Sequence, residues 1–443
     1  VLMKKVRIGI LGLGTVGSGV VCLLNEQREL IQRRLGVEVV IGRIADRSAH
    51  RKSAEGVSED NLNTDFDGLL DDPDIDIVAE LIGGTEEARR HILRALKNGK
   101  PVVTANKAVL AIHGEEIFAS AEEAGCPLGF EASVAGGIPV VRNLREAFAA
   151  DRIESVAGIL NGTCNYILTD MTEKGAEFAA TLKTAQELGY AEADPAFDID
   201  GVDASHKIAI LANLAYGTPV ELEAIPTEGI RGIDAIDISF ARDLGFRVKL
   251  IAIARETGGQ LDIRVHPAML PEHHPLSQVG GGFNSVAVVG ANAGPQAFIG
   301  QGAGSAATAS AVVGDVVEIV RWLRDNGGQS RLPAAAFLPD SRRRLKILSP
   351  KEVRTPYYIR FSALDRPGVL SRISGVFGTF DIGLETIIQK GRAGRDDHVP
   401  LVIMTYEASE ESMQNALREI LSLDVVSPEY ALLRVESDGT RFA

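Results

Sequence analysis

The chain has 443 residues, 45% of them hydrophobic and 24% charged, with a formal net charge of -14. A single core rarely grows that large, so two to four domains are expected. An acidic surface argues against bulk nucleic-acid binding, which needs Lys and Arg to displace phosphate counterions, and no apolar run is long and unbroken enough to span a bilayer.

The cysteines are Cys22, Cys126 and Cys164, an odd set without a C-x-x-C pair. That reads as a reduced, cytoplasmic chain with neither a disulfide nor a metal signature. The N-terminal apolar stretch carries a glycine turn and no cleavage-type site, so it reads as a strand and not a signal peptide. Met3 is a natural start, with Val1 and Leu2 then extraneous; the sequence leaves that open.

Residues 6–11 are predicted as a strand, 16–32 as a helix, 37–45 and 75–82 as strands, 85–98 as a helix and 101–104 as a short strand. This alternation predicts a parallel, doubly wound α/β sheet over residues 1–127. Residues 128–330 read as a second α/β domain, with strands at 153–160, 248–255 and 261–267. Its helix over 303–324 is Ala/Gly-rich and expected to return to the first domain. Residues 331–355, with Pro333, Pro339, Pro350 and the run Arg342-Arg343-Arg344, read as a solvated linker. Residues 356–435 follow the order βαββαβ: strands at 357–363, 384–390, 400–407 and 431–435, helices at 367–380 and 410–421. That is the ferredoxin-like arrangement.

Gly12-Leu13-Gly14-Thr15-Val16-Gly17 follows the first strand and opens the first helix. In that context G-x-G-x-x-G points to a dinucleotide. Gly12 permits the tight turn, Gly14 admits the pyrophosphate to the backbone, and Gly17 lets helix and strand pack closely. The helix N-terminus offers its N–H groups to the anion. After the second strand, Asp46 suits the ribose 2′-OH of NAD and Arg47 the 2′-phosphate of NADP; both remain open.

Thr104-Ala105-Asn106-Lys107 lies at the carboxyl edge of the sheet, where open α/β folds bind ligands. A richer cluster follows: Gly189, Glu192, Asp194, Asp198, Asp200, Asp203 and Lys207. Residues 202–216 read as a helix apolar almost all round, hence buried. Asp203 and Lys207 lie one turn apart on it. Charges there are either a structural ion pair or a working acid–base group. Cys164, in Asn161-Gly162-Thr163-Cys164-Asn165, is better read as a packing cysteine than as a nucleophile.

Together these motifs resemble the homoserine dehydrogenase family over nearly the whole chain. They include the glycine turn, residues 104–107, residues 130–139, Asn161-Gly162-Thr163, and the run from Gly189 to Lys207. The tail resembles an ACT domain, opening with Asp365-Arg366-Pro367-Gly368-Val369-Leu370, and no aspartate kinase domain precedes the glycine turn. The resemblance implies NAD(P)-dependent interconversion of L-homoserine and L-aspartate 4-semialdehyde, on the route to threonine, methionine and isoleucine. It implies Lys207 as proton donor and Lys107 as a second active-site lysine near the nicotinamide. It implies that Gly189, Glu192, Asp198 and Asp203 hold substrate, and that Thr104 and Gly304 contact cofactor. It further implies a sodium-like monovalent-cation site at Glu131 and the carbonyls of Val134, Gly136 and Ile138. An amino-acid effector, threonine, is expected near Asp365, Pro367, Gly368 and Leu370, in a homo-oligomer (dimer or tetramer). The competing readings are an aspartate-semialdehyde-type dehydrogenase acting through Cys164, and a non-catalytic amino-acid sensor.

Overall fold

The computed structural model describes residues 5–49, 58–325, 333–389 and 397–436. Val1, Leu2, Met3, Lys390 and the first two residues of the expected linker lie outside them. The chain divides into two compact units, each assembled from separated segments. The first comprises residues 1–156, 205–225 and 283–344; the second comprises 157–204, 226–282 and 345–443.

The first unit carries a six-stranded parallel sheet. Its order is Leu62–Asn63, Glu38–Ala45, Lys5–Leu11, Ile77–Glu80, Val102–Thr104, Leu128–Gly129. In chain order that is 3-2-1-4-5-6, the arrangement that binds dinucleotides where the order reverses. Buried on both faces, the strands read as near-continuous apolar runs; Ile8, Ile10, Ile44, Ile77 and Ala79 are fully enclosed. The helix Ser305–Arg324 shares this core through Val312, Val316, Ile319 and Val320. Its small residues permit that approach: a Cβ at Gly19 would lie 3.2 Å from Ala309 Cβ.

The helix expected over 16–32 is two helices, Thr15–Glu26 and Arg28–Leu35, hinged at Gln27 (φ -101°, ψ 13°). Neither proline nor glycine marks the break. Arg28 pairs with Glu38 at the start of the next strand, and Ile31 and Leu35 turn inward. Gly36, left-handed at φ 66°, ends the second helix.

The second unit is built on strands in the order Phe246–Thr257, Gln260–Pro271, Val426–Val435, Tyr357–Leu364, His398–Thr405, Leu384–Gln389. The last four, with helices Val369–Thr379 and Glu410–Leu421, form the expected βαββαβ module around Ile359, Phe361, Phe377, Ile403 and Met413. The module is not an appendage. Its final strand runs parallel to Gln260–Pro271, pairing Arg434 with Ala268 and Val435 with Met269.

Three arginines secure that junction. Arg264, 4% exposed, is bonded to Asp262 and Glu436, and its Nε donates to His266 Nε2 at 3.0 Å. Arg434 bridges Glu228 at 2.8 Å and Glu410 at 3.0 Å. Arg360 donates to Asp237 at 2.6 Å and Asp234 at 2.8 Å, while the Tyr358 hydroxyl donates to Asp237 at 2.8 Å. His266 is held far below the usual histidine range by burial and by the neighbouring arginines, so it stays neutral.

The basic run is not a free linker. Arg343 N donates to Gly217 O at 3.1 Å, Arg344 pairs with Glu115 at 3.2 Å, and Arg342 lies over the Phe118 ring. Lys346–Ile347 pairs with Gln260–Leu261, and Arg354–Thr355 with Ala408–Ser409. Among the described residues, no helix is long and apolar enough to cross a membrane.

Arg264→Ala removes the cation from a buried cluster and should cost roughly 3 kcal/mol. Arg344→Ala breaks only an exposed pair and should cost less than about 1 kcal/mol. Thermal unfolding of the two variants side by side checks the contrast; equal midpoints would refute it.

Candidate functional site

The glycine turn has the geometry its sequence demands. Gly12 sits at φ 96°, and a Cβ there would approach Leu81 O to 2.6 Å. A Cβ at Gly17 would collide with the Gly12 carbonyl, so the helix can start only on glycine. Gly14 has nothing within 4 Å of its Cβ direction, which leaves the turn open above it. Gly14 caps the helix Thr15–Glu26 and Gly304 (φ 108°) caps Ser305–Arg324, neither with a side-chain hydrogen bond. Ser305 Oγ donates to Thr15 O at 2.8 Å. Two helix N-termini with their positive ends therefore meet beside Thr15 and Val16.

Asp46 is spent locally. It is 8% exposed and accepts Leu13 N and Ser48 N, each at 2.7 Å. The Arg47 side chain is 72% exposed and only 3.8 Å from Glu87.

At the sheet edge, Thr104 Oγ1 donates to Glu80 Oε2 at 2.6 Å and accepts Asn106 N at 3.0 Å. Ile82 N donates to Glu80 Oε1 at 2.9 Å. Asn106 then caps the helix Lys107–Glu123 by accepting Val109 N at 3.1 Å, which places Lys107 at its first position. Glu80 is fully buried, and burial pushes its carboxyl up. Sequence reasoning missed it: a single acid ending an apolar strand was the only signal.

The segment 131–142 is pinned at several points within the same unit. Glu131 accepts Val141 N and Arg142 N, both at 2.8 Å. Asp315, from Ser305–Arg324, accepts Glu131 N at 2.8 Å and pairs with Arg142 at 3.3 Å. Gly137 N donates to Gln301 O at 3.2 Å, and a Cβ at Gly136 would meet Gly302 at 2.7 Å. Ala135 and Gly136 are both left-handed. Burial raises the Glu131 carboxyl and raises Asp315 to about 7. The oxygens of both carboxylates are engaged by backbone N–H groups and Arg142, and the Ile138 carbonyl, one expected cation donor, already accepts Val140 N at 2.8 Å.

In the second unit, Asn161 caps the helix Gly162–Lys174 by accepting Cys164 N at 2.8 Å. Its amide donates to Asp198 Oδ1 at 2.7 Å and Asp203 Oδ2 at 2.9 Å. Thr163 Oγ1 lies 3.0 Å from Asp198 Oδ2 and 2.7 Å from Tyr190 O. Asp203 is 2% exposed. Lys207, also buried, follows one turn later on the helix Val202–Tyr216. Cys164 is buried and its thiol donates to Asp198 O at 3.2 Å, a packing role. Gly189 is left-handed at φ 79°. Glu192 is exposed on the same turn.

Lys249 is a second residue that sequence reasoning passed over. It is 4% exposed and donates to Asn165 Oδ1 at 2.9 Å and Val279 O at 2.7 Å. Asn165 lies one turn beyond Asn161. The Val279 segment continues to Gly282, which abuts the Tyr190 ring; that ring stacks on Tyr166 at 4.5 Å.

In the βαββαβ module, Asp365, Pro367, Gly368 and Leu370 line one cavity of about 320 Å³ with Gln389. Gln389 Nε2 donates to Asp365 at 3.1 Å, and Gly368 (φ 89°) caps the helix Val369–Thr379 without a side-chain bond.

Comparison with known proteins agrees along the chain. Residues 12–131 match the homoserine dehydrogenase NAD-binding domain, 139–317 match homoserine dehydrogenase, and 357–425 match the ACT domain. A homoserine dehydrogenase of Neisseria gonorrhoeae is 43% identical, covering 98% of this chain and 99% of that one. A Bacillus subtilis homoserine dehydrogenase is 40% identical, over 99% of this chain and all of that one. The crystal structure of a Thiobacillus denitrificans homoserine dehydrogenase superposes with TM-score 0.92 at 43% identity, covering 98% and 99% of the two chains. A hyperthermophilic archaeal homoserine dehydrogenase in complex with NADPH matches with TM-score 0.60 at 29% identity, covering 71% of this chain and 98% of that one.

Burial lowers Lys249 from 10.5 to about 8. Below pH 8 both folded and unfolded chains carry the proton, and the full cost of the buried charge is present. Between pH 8 and the unfolded value the unfolded chain binds the extra proton, so stability rises with pH, by up to roughly 3 kcal/mol. The stability of the wild type minus that of Lys249→Met should therefore increase from pH 7.5 to 10. A difference flat over that range would show that Lys249 titrates normally.

Proposed function

The chain belongs to the homoserine dehydrogenase family, and on that premise we propose that it interconverts L-homoserine and L-aspartate 4-semialdehyde by the residues assembled above. It is an oxidoreductase with an NAD-binding domain and an ACT domain. We read the domains as 1–127 for cofactor, 128–330 for catalysis and dimerisation, 331–355 as connector and 356–435 as the ACT module.

The observation that carries the substrate assignment is the shared amide of Asn161. Two carboxylates, Asp198 and Asp203, are drawn onto one neutral donor. Two acids on one donor make a negative pocket that suits an ammonium, and we place the α-ammonium of homoserine there, with Glu192 and Gly189 closing the turn above it. Lys207, desolvated beside Asp203, gives a proton to the aldehyde oxygen or takes it from the alcohol. Lys107 fixes the substrate near the nicotinamide ring. The bound cofactor supplies or accepts the hydride. Gly12, Leu13, Gly14, Thr15, Val16 and Gly17, with Gly304, hold its pyrophosphate between two helix ends, and Thr104 orders the neighbouring edge. Glu131 and the carbonyls of Val134, Gly136 and Ile138 would hold a sodium-like cation that braces the loop.

Asp46 is bonded to backbone amides while Arg47 stands in solvent, so Arg47 is the residue available to a 2′-phosphate, which favours NADP over NAD. The placement is cytoplasmic, and the pathway leads to threonine, methionine and isoleucine. Threonine at Asp365, Pro367, Gly368 and Leu370 would lower activity. The sheet-end strand Leu384–Gln389, with Ile387 40% exposed, suits pairing of ACT modules in a dimer or tetramer.

Lys207→Ala should reduce kcat at least about 100-fold with homoserine, while cofactor affinity by titration stays within twofold. Cys164→Ser should retain most turnover; loss there with retention in Lys207→Ala would point to the thiol chemistry of an aspartate-semialdehyde-type enzyme. Arg47→Ser should raise KM for NADP about tenfold, equivalent to ~1.4 kcal/mol, and leave NAD nearly unaffected. Initial rates with both cofactors test it. Rates flat across a threonine titration would remove the feedback assignment.

A further inference from the structure

One cavity of the first unit lies away from the glycine turn. It has a volume of about 590 Å³, in the range of small-molecule sites. Leu23 and Ile31 line one wall, Trp322 another, and Arg34, Arg142, Arg145 and Arg321 surround it. The sequence contains one tryptophan, so Trp322 is its sole indole.

Arg145 sets this cavity apart. It is 7% exposed, its Nε is buried without a hydrogen-bond partner, and it pairs with no carboxylate among the described residues. Its guanidinium lies 6.0 Å from the centre of the Phe130 ring, a contact that does not satisfy the Nε donor. It sits on a π-helical turn, Asn143–Ala147. Such turns are rare and collect at functional sites. A buried donor left unmade is costly, more so when charged, so an anion bonded to Arg145 Nε would recover that cost.

The charges around the cavity give the same sign. Asp315 and Glu318 are already matched to Arg142, at 3.3 and 3.0 Å. Among the described residues, Arg34, Arg145 and Arg321 have no ion-pair partner, and of the lining acids only Glu146 is likewise unmatched. We propose that this cavity binds a small amphipathic carboxylate, its head on the Arg145 guanidinium and its apolar body against Ile31 and Trp322. The planar guanidinium fork matches a carboxylate. Arg142 is the link to the rest of the unit: its N–H holds Glu131 and its side chain holds Asp315. A ligand that competes for Arg142 acts on the 131–142 segment, and so makes a control point separate from the ACT module.

The test titrates the full-length protein with tetramethylammonium 3-phenylpropionate and follows Trp322 emission. A saturable change is expected, weakened at least tenfold in Arg145→Gln and about threefold in the rim variant Arg321→Gln, which should fold even if Arg145→Gln does not. The neutral isostere 3-phenylpropanol should not reproduce it. No saturable change, unaltered titration in both variants, or an equal response to the alcohol would overturn the proposal. So would emission that shifts with protein concentration alone in step with sedimentation, since a second copy would then fill the cavity.

Discussion

One amide holds the substrate half together. Asn161 donates to both Asp198 and Asp203, and with its own oxygen it caps the helix Gly162–Lys174. The same side chain therefore starts a helix and sets the separation of two acids. Capping alone could be done by serine or aspartate. A hydroxyl has one proton to give, and aspartate has none, so neither could bind two carboxylates while accepting a backbone N–H. Asparagine is the residue that does all three.

The cofactor half solves a different problem with backbone alone. Gly12 and Gly17 are required by contact, Gly14 by what must approach from outside. The small residues that open Ser305–Arg324 let that helix press against Thr15–Glu26 and put a second positive end at the turn. The same helix carries Asp315 to the Glu131 loop, so one element is tied to both the glycine turn and the 131–142 segment.

Much of this was legible in the sequence. Four of the six strands of the parallel sheet, the glycine turn, the helix over 202–216 and the βαββαβ order follow from local periodicity, while the two-residue edge strands Leu62–Asn63 and Leu128–Gly129 are too short to show one. The acids and lysine of the substrate half stood out because charge on an apolar helix is anomalous. Glu80, Asp315 and Lys249 did not, for a common reason: each is a lone charge in an apolar run whose partner is distant. Glu80 meets Thr104, 24 residues away; Asp315 meets Glu131, 184 away; Lys249 meets Asn165, 84 away. Periodicity reports which face is buried, not what a buried charge will find there. The hinge at Gln27 was hidden similarly, since no helix-breaking residue marks it. The basic run at 342–344 is solvated as expected, with Arg343 and Arg344 exposed, but its contacts with Gly217, Glu115 and Phe118 lie far upstream and carry no local signal.

These distant partners give the second unit a continuous framework. The last ACT strand pairs with Gln260–Pro271, which pairs in turn with Phe246–Thr257. That strand carries Lys249, which holds Asn165, one turn from Asn161 and its two acids. Replacing Lys249 by a hydrophobe would relieve a buried charge but take the lysine's hydrogen bond from Asn165 Oδ1, while Val279 O would keep only the Asn165 amide at 3.1 Å. A neutral side chain long enough to reach both acceptors has at most the two protons of an amide, and glutamine is shorter than lysine. The ammonium, with three donors on a long stem, spans the gap. The cost of its burial is thus tied to geometry: it is the group that can fix the helix bearing Asn161 and the glycine-rich segment behind Tyr190 to the same strand at once. Because that strand lies one removed from the ACT sheet, a rearrangement of the module that shifts Gln260–Pro271 must either carry Lys249 with it or break a hydrogen bond that the interior cannot replace.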